Sequence, residues 1–154
     1  MPHYQVTRRV PHRAADVYAI VCDVASYPEF VPLCADARIW NERTLPDGKR
    51  QFDAELLIVY DKLGLRERFV SEVSCNPETL AVKALSNRPP VKHIDNRWRV
   101  VPVGDEACDI EFSIDYQMSS RMLQFALSNA FDYAVRKIMA AFEARADKLY
   151  GSVS

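Results

Sequence analysis

Long apolar runs are missing from this chain of 154 residues. None approaches the roughly 18 apolar residues that a membrane-spanning helix requires. The opening segment Met1-Pro2-His3-Tyr4-Gln5-Val6-Thr7-Arg8-Arg9 has no apolar stretch of the kind a secretion signal carries. The expected location is therefore cytoplasmic. Glycine is scarce as well, with 4 in all. Gly48, Gly64 and Gly104 fall at expected chain reversals, so none is left for a loop that cradles phosphates. No G-x-S-x-G or H-E-x-x-H motif is present, and the histidines His3, His12 and His93 lie far apart in sequence, which argues against a nucleophile triad or a metal centre. Cys22, Cys34, Cys75 and Cys108 form no C-x-x-C pair, excluding a zinc ribbon or a thioredoxin-type motif. Reduced, buried thiols are expected. Charge of one sign is also missing: the formal net charge is -1, so no general attraction to nucleic acid exists and DNA is not an expected partner.

What is present is a folding composition, 49% hydrophobic and 27% charged, over a length that suits one domain spanning 1–154. Tyr4 to Val10 alternates as a strand. Between about Arg13 and Asp23, Val17, Ile20, Val21 and Val24 recur at helical spacing and give one apolar stripe. Pro28 and Pro32 in the following segment, Ser26-Tyr27-Pro28-Glu29-Phe30-Val31-Pro32-Leu33-Cys34, stop that helix. From Arg38 to Met118 the period becomes two. Strands are expected over Arg38–Glu42, Gln51–Tyr60, Arg66–Ser74, Thr79–Leu85, Ile94–Val101 and Cys108–Met118, with turns at Leu45-Pro46-Asp47-Gly48, Leu63-Gly64, Asn76-Pro77 and Val103-Gly104-Asp105. Ser119-Ser120 then offers cap hydroxyls to a helix that runs to Tyr150 and stops at Gly151.

The long helix has the stripe Leu123, Leu127, Ala130, Phe131, Ala134, Ile138, Ala141, Phe142 and Leu149, and Met122, Phe125 and Ala126 widen its first half almost all round. An apolar surface that wide needs more than one partner. The element order implies an α+β fold, a curved antiparallel sheet wrapped around a long C-terminal helix with two short helical segments after the first strand. A strongly curved sheet need not touch the helix everywhere, so an apolar cavity is expected between them. Trp98, Phe112, Tyr116, Phe131 and Phe142 point toward that space, either as packed core or as the walls of a ligand site. The candidate ligand-binding residues are Tyr27, Phe30, Val31, Ile58, Tyr60, Trp98, Phe112, Tyr116, Leu127, Phe131 and Ile138, with the phenols of Tyr60 and Tyr116 as polar anchors. The alternation sets Asp53, Glu55, Asp109, Glu111 and Asp115 on the opposite, wet face, leaving no inward acid or base. Arg66, Arg68, Arg97 and Arg99 are either a solvated face or a basic patch for RNA or lipid phosphates.

Three stretches carry a resemblance: Tyr27-Pro28-x-Phe30-x-Pro32-x-Cys34; Trp98-x-Val100-x-Pro102; and Ala141-Phe142-Glu143-x-Arg145-Ala146-x-x-Leu149-Tyr150-Gly151. Together they resemble the coenzyme Q-binding family related to Coq10, whose bacterial members are often named RatA, for ribosome-association toxin. Where relatives tend to carry a glycine-phenylalanine pair before the tryptophan strand, this chain reads Asn87-Arg88-Pro89-Pro90-Val91-Lys92. The resemblance implies the START-like, helix-grip fold of the polyketide cyclase/dehydrase superfamily. It also implies a non-catalytic carrier of ubiquinone or a similar isoprenoid lipid, without a required cofactor, that supports respiration or quinone biosynthesis. Its alternative is an inhibitor that binds a ribosomal subunit and blocks subunit association; a cyclase- or dehydratase-like enzyme ranks third. A carrier must meet a bilayer, so transient membrane contact is expected, with Phe30 as its exposed tip.

Overall fold

The computed structural model describes residues 3–151. Strand β1 (His3–Val10) leads into helix α1 (Ala14–Cys22) and a short 3-10 helix (Val24–Glu29). Strands β2 (Cys34–Thr44), β3 (Arg50–Tyr60), β4 (Leu65–Asn76), β5 (Ala81–Ser86), β6 (Val91–Val103) and β7 (Ala107–Met118) follow, and helix α2 (Arg121–Tyr150) is the last element among the described residues. The sheet has 7 strands in the order β1-β7-β6-β5-β4-β3-β2, with every neighbouring pair antiparallel. The first strand thus leaves the meander and closes the far edge beside the last. This is the helix-grip arrangement: one curved sheet, with both helices on its apolar face.

Local chemistry explains the boundaries. Gly48 adopts φ 88° in the β2–β3 reversal and donates its N–H to the Leu45 carbonyl at 2.9 Å. The Ser120 hydroxyl accepts the Leu123 N–H at 3.2 Å, satisfying one of the free donors at the start of α2. Strand β2 begins at Cys34, ahead of the expected Arg38, because its first residues pair with β3 through an irregularity between Cys34 and Asp36 that hides the two-residue period.

The face of the sheet away from the helices is a lattice of ion pairs. Glu55 takes both Arg38 at 3.5 Å and Arg68 at 3.3 Å, Arg97 holds Asp95 at 2.9 Å, and Arg9 holds Asp109 at 2.5 Å. The four arginines of the expected face therefore divide: Arg68 and Arg97 are neutralised by carboxylates, while Arg66 and Arg99 stand exposed.

Helix α2 is held unevenly. Its buried residues, Val135, Met139, Phe142 and Ala146, all lie in its second half, where α1 packs against it. Edge strand β1 pins the same helix through Tyr4 to Asp132 (2.7 Å) and Arg8 to Glu143 (3.0 Å), and the following His12 reaches Asp147 (2.7 Å). Leu149, expected in the apolar stripe, is 49% exposed, because the helix has by then run past the surface it packs on. Met122 and Phe125 are 82% and 71% exposed, so the wide apolar face of the first half is covered on one side only among the described residues.

Candidate ligand cavity

Two aromatic clusters hold the sheet and α2 apart. In the first, Phe142 lies 5.5 Å from Tyr27, 5.1 Å from Phe30 and 4.9 Å from Trp98, and Trp98 lies 4.9 Å from Phe112, ring centroid to centroid. In the second, Phe131 stacks on Tyr116 at 4.5 Å and meets Tyr4 edge-on at 5.5 Å. Phe112 and Tyr116 are four residues apart on β7, about 13 Å along a strand. Phe131 and Phe142 are eleven apart on α2, about 16 Å along a helix. The clusters are thus struts of matching separation. Between them the sheet presents small or short side chains, Ala54, Ser71, Val73, Val82 and Ala84, and the helix presents Ala130 and Ala134. Short side chains facing one another across a fixed gap leave a cavity of about 290 Å³.

Ten of the sequence-derived candidates line this cavity: Tyr27, Val31, Ile58, Tyr60, Trp98, Phe112, Tyr116, Leu127, Phe131 and Ile138. Phe30 does not. It is half-buried against Tyr27 and Phe142, with the Arg145 guanidinium 4.9 Å above its ring, so it is a plug of the first cluster and not an exposed tip. Tyr27 is fixed too, its hydroxyl donating to the Val21 carbonyl at 2.5 Å.

The polar groups of the lining separate into occupied and free. The Tyr116 hydroxyl lies 3.3 Å from Ser128 Oγ on α2, which also receives Gln124 Nε2 at 3.3 Å, while Gln124 Oε1 accepts the Met118 N–H at 2.7 Å. Tyr116 is therefore a strut between sheet and helix as well as a wall. Tyr60 lines the cavity, and its hydroxyl makes no hydrogen bond among the described residues. Asn96 and Ser71 are lining residues the sequence reading passed over. Asn96 accepts the Trp98 indole N–H at 2.9 Å and donates to the Ser113 carbonyl at 2.9 Å, keeping one amide hydrogen free. Both positions had a signal: Asn96 shares parity with Ile94 and Trp98, and Ser71 with Phe69 and Val73, so each is a polar residue on an apolar row.

Among the described residues, no carboxylate, imidazole, lysine or arginine lines the cavity. Burial drives the Tyr27 phenol well above its ordinary value and pushes the Cys34 thiol up to about 11, so neither serves as a base near neutral pH. Among the described residues no cluster of His, Cys, Asp and Glu has the arrangement of a metal site. The cavity can enclose an apolar body and offer it a few hydrogen bonds.

Known proteins of this shape agree with the residues. The chain is 28% identical over 152 residues to the ribosome association toxin RatA of Escherichia coli, covering 99% of this chain and 91% of that one. It is 28% identical over 138 residues to the mitochondrial coenzyme Q-binding protein COQ10 homolog B of Xenopus laevis, covering 88% of this chain and 54% of that one. The 18 kDa protein CC1736 of Caulobacter crescentus has the same fold at TM-score 0.82 and 33% identity, with 99% of this chain and 100% of that chain covered. The model of the polyketide cyclase/dehydrase and lipid transport family matches residues 10–143, and the chain belongs to that family.

Proposed function

We propose that the protein is a non-catalytic carrier that encloses the ring of an isoprenoid quinone, ubiquinone first, or of a similar lipid, and so supports respiration or quinone biosynthesis. The observation that carries this reading is the 290 Å³ apolar space walled by aromatics, with Tyr60 and Asn96 among its few polar lining residues. A space of this size and lining suits a substituted ring. The coenzyme Q-binding name of the Xenopus relative favours the same ligand class. The absence of acid or base from the lining favours binding over cyclase chemistry.

Trp98 provides the test. It lines the cavity, whereas Trp40 lies on β2 beneath Arg38, whose guanidinium is 4.8 Å from its ring. In a Trp40→Phe background, titration with a short-chain ubiquinone is expected to quench the remaining tryptophan fluorescence saturably. Linear, non-saturable quenching, together with an empty lipid extract from protein purified from its host, would remove the proposal.

A second reading rests on the RatA relatives, which match nearly the whole chain. In it the protein binds a ribosomal subunit and blocks subunit joining. Overexpression is then expected to raise the free-subunit peaks in a sucrose gradient at the expense of joined ribosomes. Unchanged profiles would sink this reading and leave the carrier untouched.

A further inference from the structure

The first half of α2 combines three features. Its inner side, through Leu127, Ala130, Phe131 and Ala134, roofs the cavity, yet no residue between Arg121 and Ala134 is fully buried. Its outer side carries the two most exposed large apolar side chains of the described residues, Met122 and Phe125. Along the same side, at steps of three and four, follow Asn129, Tyr133 and then Arg136 and Lys137, with the Lys137 ammonium 5.1 Å from the Tyr133 ring. The start of the helix is ringed by cations. Ser119 N–H donates to the Pro90 carbonyl at 2.9 Å, which sets the Arg88–Lys92 turn against the junction of β7 and α2. Arg88, Lys92 and Arg121 are all exposed, and none makes an ion pair among the described residues. Asp132, the one acid on this stretch of the helix, is engaged by Arg136 at 3.1 Å and by Tyr4.

We propose that this end of α2 is a docking surface for an anionic lipid bilayer, with Met122 and Phe125 entering the headgroup boundary and Arg88, Lys92 and Arg121 meeting lipid phosphates. Apolar side chains inside a ring of unpaired cations complement a charged interface with an apolar interior; a purely phosphate partner such as RNA would leave Met122 and Phe125 without a role. The proposal deepens the carrier reading, because the roof that leans on the bilayer is also a wall of the cavity in which no residue is fully buried. A ring would enter beneath it while its tail remained in the membrane.

The test uses the full chain and vesicles free of quinone, so that docking is measured without cargo. Flotation with phosphatidylcholine vesicles containing phosphatidylglycerol is expected to carry the protein, to weaken in high salt, and to fail with phosphatidylcholine alone. Phe125→Asp and Met122→Asp are expected to lower vesicle partitioning at least about tenfold. Leu149→Asp, an exposed apolar position at the far end of the same helix, should bind as wild type does. Unchanged far- and near-ultraviolet circular dichroism shows that the exposed positions have not altered folding. No flotation of the wild type, or equal flotation of Phe125→Asp, overturns the proposal. So does ribosomal-subunit co-sedimentation that Phe125→Asp abolishes while vesicles bind nothing. Vesicle binding without any quinone quenching would leave the surface standing and reject the carrier.

Discussion

Alanine in place of Phe142 is expected to remove about 3–5 kcal/mol of stability and to lower the thermal unfolding midpoint of the ligand-free protein by about 10 °C. Phe142 is 2% exposed and touches Tyr27, Phe30 and Trp98, so truncation strips the centre from a five-ring cluster and leaves a void that rigid neighbours cannot fill. The loss falls on the half of α2 that is firmly held, and the aromatic strut that spaces helix from sheet goes with it. Phe125→Ala on the same helix changes a ring that is 71% exposed and should stay within about 0.5 kcal/mol of wild type. Urea and thermal unfolding of the two variants side by side make the check. Equal midpoints would mean that the cluster is not the keystone of the fold.

The same cluster joins sequence marks that lie far apart in the chain. Tyr27 and Phe30 belong to the proline segment, Trp98 to β6, and Phe142 and Arg145 to the end of α2. Arg145 covers Phe30 and reaches Glu29 at 3.4 Å. Three separate stretches are therefore one object in space, an aromatic cluster that walls part of the cavity. That explains why they occur together in a single chain: each supplies a ring or a cation that the others must meet.

The strands were legible because an antiparallel sheet with one dry face imposes strict alternation. Cys108, Ile110, Phe112, Tyr116 and Met118 are buried, with their neighbours on β7 partly exposed. The ten cavity-lining candidates followed from that parity and from the helical stripe. What parity could not supply was distance. Phe30 lies in a segment without a period, so nothing local separated an exposed tip from a plug, and only the fold brings Phe142 and Arg145 onto it. Asn96 and Ser71 had the correct parity but the wrong polarity, and a search for apolar walls passes over such positions. Leu149 matched the stripe, yet a stripe says nothing of where the opposing sheet ends. Met122 and Phe125 broke the amphipathic pattern, and that excess, visible in the sequence as a surface in need of a second partner, is what the fold leaves uncovered.

Whether the space between the struts is a binding site or loosely packed core is decided by Ala84→Leu, which is expected to move stability and binding in opposite directions. Ala84 sits between Val73 and Asn96 on the cavity floor. Three added carbons there enter open space, and at ~0.8 kcal/mol per buried methylene they stabilise the ligand-free protein by up to about 2 kcal/mol. The same carbons occupy the volume a quinone ring needs, so quenching of Trp98 should weaken by about 100-fold. A packed core responds otherwise: overpacking forces side chains off their rotamers and costs about 1–3 kcal/mol. A lowered unfolding midpoint with undiminished quenching would place the ligand elsewhere and make these aromatics ordinary core. Because the docking surface lies on the outer side of α2, Ala84→Leu should still float with anionic vesicles, which separates loss of the cavity from loss of the membrane.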